Sequence, residues 1–199
     1  MSNFNPLARS QLVLYISAAP ELESERHHLS QAVATMPTSL GWQIAQTPQP
    51  DQPLNLDALA RADLHLLVLG GDIRAPIGVE WQVARRAGRV PVLFKQERLH
   101  TPAADAFIRE LSQVAPWRAY HDARDLSRQV SVLLVDYLLT HEAEFALSLP
   151  EVEQLRAWQK EARPLTASAS DEPRVVGAGG VVLSRERYVP SGGVVVEAA

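Results

Sequence analysis

The hydrophobic positions of the chain predict five short strands. Three runs are apolar at nearly every position, which is typical of strands buried on both faces of a parallel sheet. These runs are QLVLYI at 11–16, LHLLVL at 64–69 and VPVLF at 90–94. Residues 42–45 and 117–120 are weaker strand candidates.

Apolar residues at helical spacing between these strands predict the helices that cover the sheet. After the first strand, Pro20 suits the first turn of a helix, and three glutamates within the next five residues complement the helix dipole. Gly88 is a natural stop for the third helix. The predicted helices run from Pro20 to near Pro37 and over 54–62, 77–87, 101–114, 126–147 and 151–162.

The alternation of strands and helices predicts an α/β fold. We expect a flavodoxin-like, doubly wound, parallel five-stranded sheet of order 2-1-3-4-5, with helices on both faces. Ligands bind such sheets beyond the carboxyl ends of the strands at the switch point, which here means the loops after Ile16 and Leu69. The chain divides into an α/β domain (1–148), a C-terminal helix (149–163) and a Gly/Val-rich tail (164–199). The tail is either disordered or a small β arm.

Composition and charge narrow the class of protein. The chain has 199 residues, of which 46% are hydrophobic and 21% charged, enough for a globular domain with a core. The net charge of -4 gives no electrostatic reason to expect a nucleic acid or a membrane as partner. The lack of cysteine excludes disulfides, thiolate catalysis and zinc–thiolate sites. Without a secretory signal or an apolar run of about 20 residues, we expect a soluble, cytoplasmic protein.

The stretch GGDIRAPIGVEWQVARRAGRVPVLF at 70–94 contains the main candidate for chemistry, Glu80. On a helical wheel Glu80 lies among the apolar residues, so it should point toward the sheet at the mouth of the switch-point crevice. Partial burial there raises the pKa of a carboxylate, and the helix N-terminus lowers it. This placement is typical of a functional carboxylate. The alternative is a first-turn glutamate that only complements the helix dipole.

Five further residues are candidates for ligand binding. Ser17 lies at the first strand–helix junction, and the pair Gly70 and Gly71 allows a ligand to approach the backbone closely. Asp72 and Arg74 suit a ribose hydroxyl and a phosphate, respectively. The plainer alternatives are a turn or cap serine and solvated loop charges. The sequence contains no P-loop, no G-x-G-x-x-G, no G-x-S-x-G and no metal-ligand spacing, so we expect no metal site.

Two stretches resemble DUF4062 domains. YISAAPELESERHHLSQAV is similar to the opening of that family, a strand, a Ser-rich turn and an L-x-x-E-R helix matched by Leu22, Glu25 and Arg26. The turn keeps Ser17 but lacks the second serine and the aromatic residue that the family usually has. The stretch 64–94 resembles the family's apolar strand, Gly-containing loop and Glu-bearing helix. The likeness covers residues 11–139.

The resemblance implies a function. DUF4062 domains look akin to TIR domains and nucleoside 2-deoxyribosyltransferases, in which a glutamate at the start of the helix after the third strand handles an N-glycosidic bond. The match places Glu80 in that catalytic role. The implied ligand is a nucleotide or nucleoside, with NAD as a candidate substrate and no cofactor. The alternative is a non-catalytic sensor or adaptor module of a bacterial conflict or signalling system, with the C-terminal region binding a second copy or a protein partner.

Overall fold

The computed structural model describes residues 9–49 and 51–167, with the backbone alone for 162–167. Five parallel strands form one sheet of order β2-β1-β3-β4-β5. The predicted α/β fold with its flavodoxin-like strand order is therefore confirmed. The elements are β1 (Gln11–Ala18), α1 (Glu23–Ala34), β2 (Gly41–Gln46), α2 (Leu56–Arg61), β3 (Leu64–Leu69), α3 (Ala75–Arg86), β4 (Val92–Gln96), α4 (Pro102–Leu111), β5 (Trp117–Tyr120), α5 (Ala123–Thr140) and α6 (Leu149–Ala167).

Helices cover both faces of the sheet because successive side chains of each strand point to opposite sides. On β1, Leu14 and Ile16 pack against α1 and α5, and α6 adds to that layer through Leu155. Tyr15 faces the other side, where α2 and α3 pack. The chain thus leaves β1 and β3 toward opposite faces, which creates the switch point between them.

The predicted strands lie within two residues of the observed ones, but several predicted helix ends are wrong. A 3-10 turn at Pro20–Leu22 precedes α1, which ends at Ala34 before Pro37. The largest difference is α5, which begins earlier than predicted because the Asp122 side chain accepts hydrogen bonds from two backbone N–H groups of the first turn. It also ends seven residues before the predicted 147, at Thr140.

The C-terminal helix continues past its predicted end. The helix α6 reaches Ala167, whereas the sequence predicted a boundary at 163. The rest of the predicted tail, 168–199, lies outside the described residues. Within the described part of the chain, no helix combines the length and the apolar composition that crossing a membrane requires.

Candidate functional site

Five polar side chains lie together beneath α3, and each is at most 5% exposed. Tyr15 and Ser17 occupy alternate positions of β1 and therefore share one face of the sheet. His65 lies beside Tyr15 on β3, and Thr47 follows directly after β2. Glu80 reaches them from α3. Because these groups are removed from water, they depend on hydrogen bonds with other protein atoms.

Both oxygens of the Glu80 carboxylate accept a hydrogen bond from a hydroxyl group. The Tyr15 hydroxyl donates to Oε1 at 2.7 Å, and Thr47 Oγ1 donates to Oε2 at 2.8 Å. The same Thr47 oxygen accepts the backbone N–H of Ala18 at 3.1 Å. Thr47 therefore links the end of β1 to α3, and the carboxylate is held in one orientation by two separate elements.

Burial raises the pKa of Glu80 above its ordinary value, because removal from water disfavours the charged carboxylate. Interactions with the hydroxyls of Ser17, Tyr15 and Thr47 and with the Arg26 charge oppose this rise. Burial, and next the charge of Glu80, also raises the pKa of Tyr15. Tyr15 therefore stays protonated at neutral pH and keeps donating to the carboxylate.

His65 contacts this cluster as a neutral ring. Ser17 Oγ lies 2.8 Å from Nε2 of His65, and the Tyr15 and His65 rings meet edge to face with centroids 5.7 Å apart. Burial lowers the pKa of His65 to about 4. Its Nδ1 atom is buried and has no hydrogen-bond partner among the described residues. At neutral pH His65 thus supplies no positive charge to balance Glu80.

Arg26 holds the chain segment that follows β2. From the start of α1, its Nε donates to Gln46 Oε1 at 2.7 Å and its Nη2 donates to the Thr47 carbonyl at 2.8 Å. These bonds are made with a charged donor and are stronger than neutral ones. Arg26 therefore helps to keep Thr47 in place over Glu80.

A groove of about 670 Å³ runs beside the cluster, along the open edge of β2. We call it the β2 groove. Thr47 is one of the residues that line the groove, and its hydroxyl is also the donor to Oε2 of Glu80. The groove is lined by Arg26 and Ser30, by residues 43–49, and by Gln52, Pro53 and Asn55.

The structure brings Ser17 and Glu80 together, and Glu80 points toward the sheet as its helical position predicts. The predicted exposure of Glu80 is wrong, because its side chain is 0% exposed and does not open into a crevice. Thr47, which lies 33 residues earlier in the chain, covers it. Tyr15, Thr47 and His65 were not among the predicted site residues. A usable signal was present for His65, the single polar residue in LHLLVL.

The two glycines after β3 lie close to other parts of the protein. A Cβ atom on Gly70 would stand 3.0 Å from a methyl carbon of Leu22, and one on Gly71 would stand 3.1 Å from Nε of Arg98. In both cases the nearest atom lies on a side chain, so a small shift of Leu22 or Arg98 would make room for the added carbon. The role of the two glycines in ligand binding stays a prediction.

The two charged residues of the same loop form contacts within the protein. Asp72 accepts hydrogen bonds from the Thr101 hydroxyl at 2.6 Å and from the backbone N–H of Ile73 at 2.8 Å. Arg74 pairs with Glu21 at 3.4 Å, and both side chains are exposed. The predicted ribose and phosphate contacts of Asp72 and Arg74 are not tested by these bonds and stay predictions.

Over 9–49 and 51–167, no group of three or more histidine, aspartate or glutamate side chains is arranged to hold a metal ion. The cluster beneath α3 contains one carboxylate and one imidazole. Its chemistry is therefore that of a single buried acid surrounded by hydroxyl groups.

Comparison with known proteins gives little further information. The chain matches no family model, and it matches no curated protein. Among solved structures it is similar to the CMP N-glycosidase BcmB of Clostridium botulinum, with a TM-score of 0.42 and 20% sequence identity. That match covers 60% of this chain and 98% of the BcmB chain.

Proposed function

We propose that this domain binds a nucleoside or nucleotide in the β2 groove and cleaves its N-glycosidic bond with Glu80. The observation that carries the proposal is the Glu80 carboxylate itself. It is completely buried, it is oriented by two hydroxyl groups, and one of these hydroxyls belongs to Thr47, which also lines a groove of about 670 Å³.

The proposed chemistry suits a buried carboxylate. As the bond between C1′ and the base nitrogen breaks, its electron pair moves to the base and positive charge develops on C1′. A carboxylate beside C1′ stabilises that charge or bonds to it, and the low polarity around Glu80 strengthens the interaction. Water then supplies a hydroxyl group to C1′ and a proton to the base. Tyr15 and Thr47 contribute by fixing the direction of the two carboxylate oxygens.

Thr47 must move for the sugar to reach Glu80. Its hydroxyl occupies the position beside Oε2, and Arg26 holds its carbonyl. We propose that a ligand in the β2 groove displaces this segment, since Gln46 and Thr47 line the groove and are also the two residues that Arg26 binds. Such movements of short segments accompany substrate binding in many enzymes.

We also propose that the chain is a DUF4062-type domain. The support is the L-x-x-E-R pattern of Leu22, Glu25 and Arg26, which runs from the end of the 3-10 turn after β1 into the first turn of α1. Under this proposal NAD and deoxynucleosides are the first substrates to test.

The decisive experiment compares the wild-type protein with Glu80→Gln. Each is incubated at high concentration with NAD, ribonucleosides and deoxynucleosides, and the released base is measured by chromatography. We expect base release by the wild type and a loss of about 100-fold or more in the variant. Glu110→Gln, at an exposed position of α4, is the matched control and should keep full activity. If the wild type releases no more base than Glu80→Gln, the enzymatic proposal is wrong.

A second candidate function is a non-catalytic ligand-binding module. The complete burial of Glu80 favours it, because a carboxylate that only joins β1, α3 and the segment after β2 has no need to reach solvent. This candidate predicts nucleoside binding by the wild type without base release. It also predicts that the Glu80→Gln variant binds as the wild type does.

A further inference from the structure

Five amide side chains recur at every third position from β2 to the start of α2. They are Gln43, Gln46, Gln49, Gln52 and Asn55, and all five line the β2 groove. Prolines at 48, 50 and 53 lie among them. Pro48 and Pro53 line the groove, and each fixes one backbone dihedral angle, which limits the conformational freedom of the groove wall.

Two of the five amides are already used within the protein. Gln46 accepts a hydrogen bond from Arg26 and donates one to Ser30 Oγ at 3.2 Å. Asn55 Oδ1 accepts the backbone N–H of Ala58 at 3.0 Å and begins α2. In the protein without a ligand, these two amides hold the walls of the groove in place.

The other three amides have no side-chain hydrogen bond within the described part of the chain. Gln49 and Gln52 lie at the two ends of a turn, which the Gln52 N–H closes by donating to the Gln49 carbonyl at 2.9 Å. Their side chains therefore start from neighbouring points on the groove wall. Gln43 lies further along β2.

The lining has the hydrogen-bonding character of a base-binding surface. Each amide presents one donor and one acceptor group in the same plane. A nucleobase likewise presents a donor beside an acceptor on its edge, and glutamine side chains pair with such edges through two hydrogen bonds. The described lining contains one charged residue, Arg26, and no carboxylate, so it favours neutral or anionic ligands over cations.

We propose that the β2 groove holds its ligand by the nucleobase, through Gln49 and Gln52, and directs the sugar toward Thr47 and Glu80. The direction of the sugar depends on the function proposed above. The recognition of the base is a binding property, and it is measurable whether or not the bond is cleaved.

The test measures binding by calorimetry to the wild type, to Gln49→Leu/Gln52→Leu and to a control, Gln113→Leu. Gln113 is an exposed amide after α4, outside the groove. The ligands are adenosine, cytidine, free adenine and ribose 5-phosphate. We expect at least one nucleoside to bind the wild type and the control equally. The double variant should bind it about 10-fold or more weakly, because leucine side chains form no hydrogen bonds with the base.

Three results would overturn the proposal: no binding of any nucleoside at millimolar concentration, equal binding by the double variant, or ribose 5-phosphate binding as tightly as the nucleosides. Its failure is distinguishable from failure of the cleavage proposal. Weakened binding by the double variant without base release from the wild type contradicts only the role of Glu80. Base release that depends on Glu80 but not on Gln49 and Gln52 contradicts only the base-recognition proposal.

Discussion

The phenolic hydroxyl of Tyr15 donates a 2.7 Å hydrogen bond to Oε1 of Glu80 and so joins β1 to α3 across 65 residues of sequence. Both side chains are completely buried. Removal of either partner leaves the other as a buried polar group with neither water nor a hydrogen bond. The free-energy cost of that state exceeds the net stabilisation that the hydrogen bond contributes. The pair is therefore a structural connection as well as the centre of the proposed active site.

The stability of the Glu80→Gln variant relative to the wild type should increase as the pH rises. Burial raises the pKa of Glu80, so the folded protein keeps a proton at pH values where the unfolded chain, near its ordinary value of 4.5, has lost it. The stability of the wild type consequently falls as pH increases through that window, and glutamine has no such dependence. The melting temperature of Glu80→Gln minus that of the wild type should increase from pH 5 to pH 8. In a domain of this size, a difference of about 1 kcal/mol in the free energy of unfolding shifts the melting temperature by about 2–4 °C. A difference that stays constant or shrinks would contradict the burial of this charge.

His65 should make the fold sensitive to mild acid. Burial lowers its pKa from 6.5 to about 4, so the unfolded chain binds a proton between these values and the folded protein does not. The stabilising effect of the neutral ring is complete above pH 6.5 and is lost as the pH falls toward 4, by about 3 kcal/mol in total. The measurement is urea unfolding of the wild type and His65→Gln at several pH values. The variant should lose less stability over that range, and parallel curves would show that His65 is not responsible.

Replacement of Tyr15 by Phe should destabilise the fold without creating a cavity. The change removes the donor to Glu80 Oε1 and leaves that oxygen unpaired, which lowers the free energy of unfolding by about 1–3 kcal/mol. Tyr137→Phe on α5 is the matched control, because the Tyr137 hydroxyl forms no hydrogen bond within the described residues and its loss should change stability by less than about 0.5 kcal/mol. Chemical denaturation of both variants at pH 7 measures the difference. Equal effects at the two positions would contradict the importance of the Tyr15 bond.

Substitution of a glycine within α3 and of a glycine just after it should have opposite effects on stability. Gly78 lies inside α3, and an added Cβ would meet no atom within 4 Å, so Gly78→Ala should stabilise the protein by about 0.5–1 kcal/mol. Gly88 follows α3 with a φ of 69°, a conformation that alanine disfavours, so Gly88→Ala should destabilise it by about 1 kcal/mol. Thermal melts of the two variants provide the comparison. The same sign at both positions would be inconsistent with this backbone geometry.

The apolar pattern was sufficient to predict the architecture. A run such as LHLLVL at Leu64–Leu69 is apolar at nearly every position, which marks a strand buried on both faces, and this information is local. The apolar pattern predicted the ends of the helices less accurately. Helix α5 begins at Ala123 because the Asp122 side chain accepts hydrogen bonds from two backbone N–H groups of its first turn, and the spacing of apolar residues does not indicate those bonds.

The sequence alone determined the order of strands and helices and the inward direction of Glu80, because each depends on the spacing of apolar residues within one element. Only the tertiary structure decided that Glu80 is covered. The hydroxyls that hold it come from Tyr15 and Thr47, 65 and 33 residues away in sequence. The position of Thr47 depends on how the segment after β2 folds back across the sheet and is held by Arg26. Such contacts form between elements that are distant in sequence, so no local pattern specifies them.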